Sequence, residues 1–185
     1  MFLLINTDDM KTDDVLKIAR DVYVERKLKD VVVASTEGTT GLASAKLFKD
    51  LNANLVVVAH SVGFREPNIN EFNPEMKKEI NELGGSVLFN TMPFHTINDA
   101  IRGKMGSSVE TLIADTLRMM GQGTKVCVEI IAMACDAGLV KSGKNVLAIA
   151  GTHRGADTVQ IIKSANSRRF FDLKIIDIIA KSKNF

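Results

Sequence analysis

The stretch 31–45, VVVASTEGTTGLASA, constrains the fold more than any other segment of the chain. Its three consecutive β-branched residues, Val31, Val32 and Val33, suit a strand covered on both faces. A small, mostly polar loop follows, with Ser35, Thr36, Gly38, Thr39, Thr40 and Gly41. A helix expected from about Leu42 would aim its free N–H groups, and the positive end of its dipole, back at that loop. Hydroxyls, exposed amides and a helix N-terminus together can hold a phosphate or a carboxylate. The loop carries neither the G-x-G-x-x-G pattern of dinucleotide sites nor the G-x-x-x-x-G-K-[ST] pattern of Walker loops. Taken alone, it is equally a capped strand-to-helix turn.

The rest of the chain repeats the same alternation. Residues 12–27 keep helical spacing through Val15, Ile18, Ala19 and Val22, with Thr12 placed to cap and Asp13 and Asp14 in the first turn. Apolar strands are expected at 55–59, 86–90 and 145–150. Asn73-Pro74 marks a helix start, and Gly84-Gly85 its end. A short helix is expected over 97–104. A further one, capped by Ser107 or Ser108, turns Val109, Leu112, Ile113, Leu117 and Met120 to one face. The triplet Gly121-Gln122-Gly123 breaks it, and residues 125–137, apolar on nearly every side, form a deeply buried helix. The pair Met119-Met120 reads as core.

A strand is also expected at 158–163, with only residues 151–157 between it and the strand before. A parallel crossover needs a dozen or more residues, so this pair is antiparallel. A helical turn over 165–171 and a last strand over 173–179 complete the chain. Strands alternating with helices imply a mostly parallel sheet with helices on both faces. Ligands of such sheets collect outside the carboxyl ends of the strands. The loops at Ser35, His60, Asn90 to Phe94 and Gly151 all fall there.

Composition limits the function classes. A chain of 185 residues with 45% hydrophobic and 25% charged residues suits a single domain spanning 1–185. The formal net charge of +2, without a Lys/Arg run, gives no reason to expect a nucleic-acid partner. No 18-residue apolar run and no basic leader precede the fold, so a cytoplasmic chain without a membrane partner is expected. Cys127 and Cys135, two helical turns apart, read as buried free thiols. The three histidines are dispersed in sequence and no C-x-x-C pair occurs, which argues against a structural metal site.

Four motifs carry a family resemblance: VVAS-x-x-G-x-T (32–40), GFRE (63–66), LRMMGQGTKVCVEIIAMACDAGL (117–139) and GTHRGADT (151–158). Over about 12–179 the chain resembles the small archaeal and bacterial proteins that consist of a pyruvate kinase C-terminal-like domain alone. The resemblance implies a three-layer α/β/α sandwich whose mixed, mostly parallel sheet includes an antiparallel strand. In pyruvate kinase the loop resembling 35–40 holds a phosphate of a sugar bisphosphate effector, and the loop resembling 151–158 lies beside it. In the stand-alone relatives the corresponding pocket is associated with flavin mononucleotide (FMN). Lys11 and Met92 depart from the family pattern, which has Asn and His there.

These arguments give Ser35, Thr36, Gly38, Thr39, Thr40, His60, Gly63, Phe64, Thr91, Gly151, Thr152, Arg154, Gly155 and Asp157 as candidate ligand residues. Phe64, Met92 and Phe94 are candidates for the walls around a flat ring. Asp157 serves equally well to satisfy loop amides, and His95 reads as part of a packing turn. No Ser-His-Asp, Cys-His or paired-carboxylate arrangement is assembled by the sequence. The expected function is binding of a small phosphate-bearing ligand, FMN foremost. A non-catalytic sensor of a phosphorylated metabolite and a flavin-dependent oxidoreductase are the alternatives. A homo-oligomer is compatible with the sequence.

Overall fold

Buried β-branched strands need cover on both sides, and the computed structural model, which describes residues 4–184, shows how it is supplied. The chain runs β1 (Ile5–Asn6), α1 (Thr12–Glu25), β2 (Asp30–Ala34), α2 (Thr39–Phe48), β3 (Asn54–Ala59), α3 (Pro74–Glu82) and β4 (Ser86–Phe89). It continues through α4 (Ile97–Met105), α5 (Val109–Arg118), α6 (Gln122–Asp136), β5 (Asn145–Ala150), β6 (Thr158–Lys163) and β7 (Lys174–Lys181). The strands form one sheet in the order β1-β7-β6-β5-β2-β3-β4. Strands β2 to β5 are parallel to their neighbours among themselves, and β6 runs antiparallel to both β5 and β7. The short connection between β5 and β6 thus has the consequence expected of it.

Alternate side chains of each central strand enter opposite cores. Val31, Val33 and Val57 join Val15, Ala19, Phe48 and Ile80 on the face covered by α1, α2 and α3. Val32, Val56 and Val58 join Ala114, Ile131 and Met133 on the face covered by α5 and α6. The result is a three-layer α/β/α sandwich. Helix α6 packs on β2, β3, β5 and β6. A Cβ at Gly123 would collide with the Thr158 side chain, so glycine there lets the first turn of α6 press against β6.

Several local expectations are corrected. Helix α2 begins at Thr39 rather than Leu42, because Gly38 adopts φ 108° and turns the chain early. Thr12 does not cap α1: Lys11 holds that position, and the Thr12 hydroxyl instead accepts from the Ala156 N–H at 3.1 Å. Of the triplet 121–123 only Gly121, with φ 115°, breaks the chain; Gln122 already opens α6. The proposed inner face of α5 is largely outside, with Val109 71% and Leu112 68% exposed, because α6 already covers this part of the sheet. Met119 and Met120 are likewise exposed rather than core. Strand β1 was not anticipated; its two residues carry no periodicity.

Candidate functional site

Strand β2 lies between β3, which follows it in sequence, and β5, which comes after the chain has moved out to β4 and returned. The loops after β2 and β5 thus come to lie side by side at the carboxyl edge, although far apart in sequence, and a crevice opens between them. A cleft of about 420 Å³ occupies it. Ser35, Thr36, Thr39, Thr40, His60, Phe64, Gly151, Thr152, Arg154 and Gly155 line this cleft. Three loops of the four expected at the carboxyl edge contribute most of the polar rim. The fourth supplies Met92 and His95. Helix α6 provides the floor with Gln122, Val126, Glu129, Ile130 and Met133, all on one helical stripe.

The remaining candidates do not line the cleft. Gly38 turns its α-carbon toward α3, where a Cβ would touch Met76 and Phe72. Gly63 sits in the loop after β3, its N–H bonded to the Ile69 carbonyl. Thr91 is exposed beyond the end of β4. Asp157 is spent on its own loop: it accepts from the Thr152 N–H at 2.7 Å and the Thr158 hydroxyl at 2.6 Å. Of the proposed flat walls, Phe64 and Met92 face the cleft, while Phe94 is buried at 4% exposure.

The anion-binding potential of the rim lies in the start of α2. Among the described residues, the N–H groups of Thr39, Thr40 and Gly41 donate to no backbone carbonyl, whereas Leu42 bonds back to Gly38. Free first-turn amides beside the Ser35, Thr36 and Thr39 hydroxyls form a donor set suited to phosphate. Opposite them the 151–157 loop folds tightly. A Cβ on Gly151 would strike the Gly155 carbonyl, and Gly155 has φ 82°. The loop is tied to α1 through Thr12 and to β1 through the Thr7 hydroxyl, which donates to the Asp157 carbonyl at 2.7 Å. Arg154 reaches across the mouth to Glu37 at 3.5 Å and is 92% exposed.

The other end of the cleft is aromatic. The His60 and Phe64 rings lie 4.2 Å apart, and Phe64 meets His95 edge-on at 5.7 Å. His60 is oriented by Glu71, 2.9 Å from its Nδ1, and Glu71 also holds Arg65 at 3.0 Å. The sequence disperses the three histidines, yet His60, His95 and His153 all reach this one cleft. They do not assemble into a metal-binding group among the described residues.

Beneath the aromatic end lies an arrangement that sequence reasoning missed. Lys125 and Glu129, one turn apart on α6, are 0% and 1% exposed. Lys125 Nζ is 2.5 Å from Glu129 Oε2, 3.0 Å from His95 Nδ1 and 5.3 Å from the centre of the Phe94 ring. Glu129 Oε1 accepts from the Phe94 N–H at 2.7 Å. Burial pushes the Lys125 ammonium below its ordinary value, against the opposing pull of Glu129. Burial also works to raise the Glu129 carboxyl, but His95 and Lys125 outweigh it and hold the group low. The available signal was a Lys and a Glu at i, i+4 in a helix with no polar face, since such a pair can be buried only together. Cys127 and Cys135 are free and buried, and burial raises both thiols, Cys135 to about 11.

A family model described as "Pyruvate kinase, alpha/beta domain" matches residues 13–162. Among solved structures, a pyruvate kinase from Cryptosporidium parvum is 12% identical, with 83% of this chain and 23% of that one covered and a TM-score of 0.40. A Cryptosporidium parvum pyruvate kinase in complex with ADP is 14% identical, with coverage of 83% and 24% and a TM-score of 0.41. An O-ureido-L-serine synthase matches at 23% identity over 58% of this chain and 29% of that one, with a TM-score of 0.31. The present chain spans about a quarter of the length of the pyruvate kinases it resembles.

Proposed function

The chain belongs to the pyruvate kinase alpha/beta domain family, and from that premise we propose that its switch-point cleft binds a phosphate-bearing ligand, FMN foremost. One observation carries the reading. A donor-rich rim, made by the 35–40 loop and the start of α2, shares a single cleft with a wall of flat side chains, Phe64, His60 and His95. A phosphate needs the first of these and an isoalloxazine ring the second.

The residues present fit the group. Thr39 and Thr40 offer first-turn amides, and Ser35 and Thr36 offer hydroxyls, at the phosphate end. Arg154 adds a cation at the mouth once it exchanges Glu37 for the ligand. Met92, Val126 and Met133 supply apolar surface where the ring would lie, and a cleft of about 420 Å³ falls within the range of small-molecule sites. When bound, a flavin would supply redox chemistry. This chain's residues would bind the phosphate, orient the ring and exclude water from its inner edge.

A second reading keeps the phosphate end and dispenses with the ring: a sensor of a phosphorylated metabolite without turnover. Burial of the Lys125–Glu129 pair favours it, because the two charged groups nearest the inner end are spent on each other. The deciding experiment is mass spectrometry of small molecules released from the native protein, together with its visible absorbance. Released FMN and a flavin spectrum support the first reading. A colourless protein releasing a phosphorylated metabolite replaces it with the second.

A further inference from the structure

Histidine presents two ring nitrogens, and the hydrogen bond made by one fixes what the other offers. His95 Nδ1 lies 3.0 Å from Lys125 Nζ and 3.4 Å from Glu129 Oε1. An Nδ1–H donated to Glu129 would help hold that carboxylate low, but at 3.4 Å this is the weaker of the two contacts, so the lysine at 3.0 Å governs this edge of the ring. Lys125 Nζ sits 2.5 Å from a carboxylate oxygen and over the Phe94 ring, two contacts that favour an ammonium against the cost of its burial. An ammonium has donors only, so Nδ1 must accept and the ring proton resides on Nε2. That atom has no hydrogen-bond partner within the described protein and is not among its buried unsatisfied atoms. His95 itself lines the cleft and keeps 20% of its side chain exposed.

We propose that His95, held by Lys125 as the Nε2–H tautomer, is the specificity-determining donor at the inner end of the cleft, and that it selects ligands with a carbonyl oxygen or unprotonated ring nitrogen there. The proposal rests on the reading of the cleft as a ligand site and deepens it. The surroundings give the donor its discriminating power. Met92, Val126, Ile130 and Met133 make the neighbouring wall apolar. A ligand without an acceptor at this point would strip water from the N–H and return nothing. Lys125 is a positioning residue in this arrangement, because it acts on the ligand only through the imidazole.

The test combines ring tautomer and affinity. Long-range ¹H–¹⁵N spectra of the ligand-free protein are expected to show a pyridine-like Nδ1 and a pyrrole-like Nε2 for His95. A ring protonated on Nδ1 alone overturns the proposal, whichever ligand the cleft takes. With FMN as probe, His95→Leu is expected to weaken binding by about tenfold, the usual scale for one lost hydrogen bond at a buried site. His95→Gln, which keeps an N–H donor, should retain affinity within about threefold of the unaltered protein. Equal FMN affinity in His95→Leu and the unaltered protein overturns the proposal. If the unaltered protein binds no FMN, the flavin reading falls and the tautomer alone decides this one. Lys125→Met should release the tautomer preference, a change that loss of packing alone would not produce.

Discussion

Lys125 Nζ and Glu129 Oε2 meet at 2.5 Å one turn apart on α6, buried against Phe94 and His95 of the segment that follows β4. Two charges without water are stable only as a pair, so the cost of breaking them is asymmetric. Lys125→Met leaves the Glu129 carboxylate buried with the Phe94 N–H and His95 as its remaining partners. We expect roughly 3–5 kcal/mol of destabilisation in urea unfolding. The double variant Lys125→Met/Glu129→Leu should recover part of that loss. A single-variant loss below about 1 kcal/mol would mean that the pair is solvated in solution.

Gly38 lets the turn before α2 pack closely against Met76 and Phe72. Its φ of 108° strains any other residue, and a Cβ would press on Met76 and Phe72, which anchor the start of α3. Gly38→Ala is therefore expected to destabilise the ligand-free protein by more than about 1 kcal/mol. Thermal unfolding of the ligand-free variant checks this. An unchanged melting temperature with weakened ligand binding would return the glycine to the site.

The sequence made the architecture legible where chemistry is local. Val31 to Val33 announced a doubly covered strand, and Asn73-Pro74 a capped helix; Asn73 Oδ1 does accept from the Glu75 and Met76 N–H groups. The short span from Ala150 to Thr158 dictated the antiparallel β6. Long-range competition was not legible. The periodicity of α5 defined an apolar face, but only the fold shows that α6 takes the sheet surface and leaves Val109 and Leu112 outside. In the same way Thr12 looked like a cap until the loop from Gly151 arrived to use its hydroxyl. His95 looked like packing because its partner, Lys125, lies thirty residues away. The polar rim was read from its own residues; the helix that floors it was not.

Asp8 gives the fold a clasp that responds to acid. Its Oδ1 accepts from the Ser182 hydroxyl at 2.6 Å and from the Lys183 and Asn184 N–H groups at 2.8 and 3.2 Å. The Ser182 bond first, with the two backbone bonds, lowers the carboxyl from 3.8 to about 2. A folded value below the unfolded one stabilises the clasp above 3.8 and withdraws that support as pH falls toward 2. A ¹³C titration of the Asp8 carboxyl should show its midpoint near 2. A midpoint at the ordinary 3.8 would show the clasp open in solution.

The central claim is that the rim of amides and hydroxyls grips a phosphate while the aromatic end accepts a ring. Riboflavin has the ring without the phosphate, so the two flavins separate these contributions. Titrations followed by flavin fluorescence, at low and high salt, are the direct measurement. FMN should bind at least about tenfold more tightly than riboflavin, equivalent to about 1.4 kcal/mol. Raising the salt should narrow that gap, because the phosphate contacts at the exposed mouth are screened. Equal affinities would place recognition in the ring alone and contradict the phosphate rim, and failure of both flavins to bind would contradict the flavin assignment.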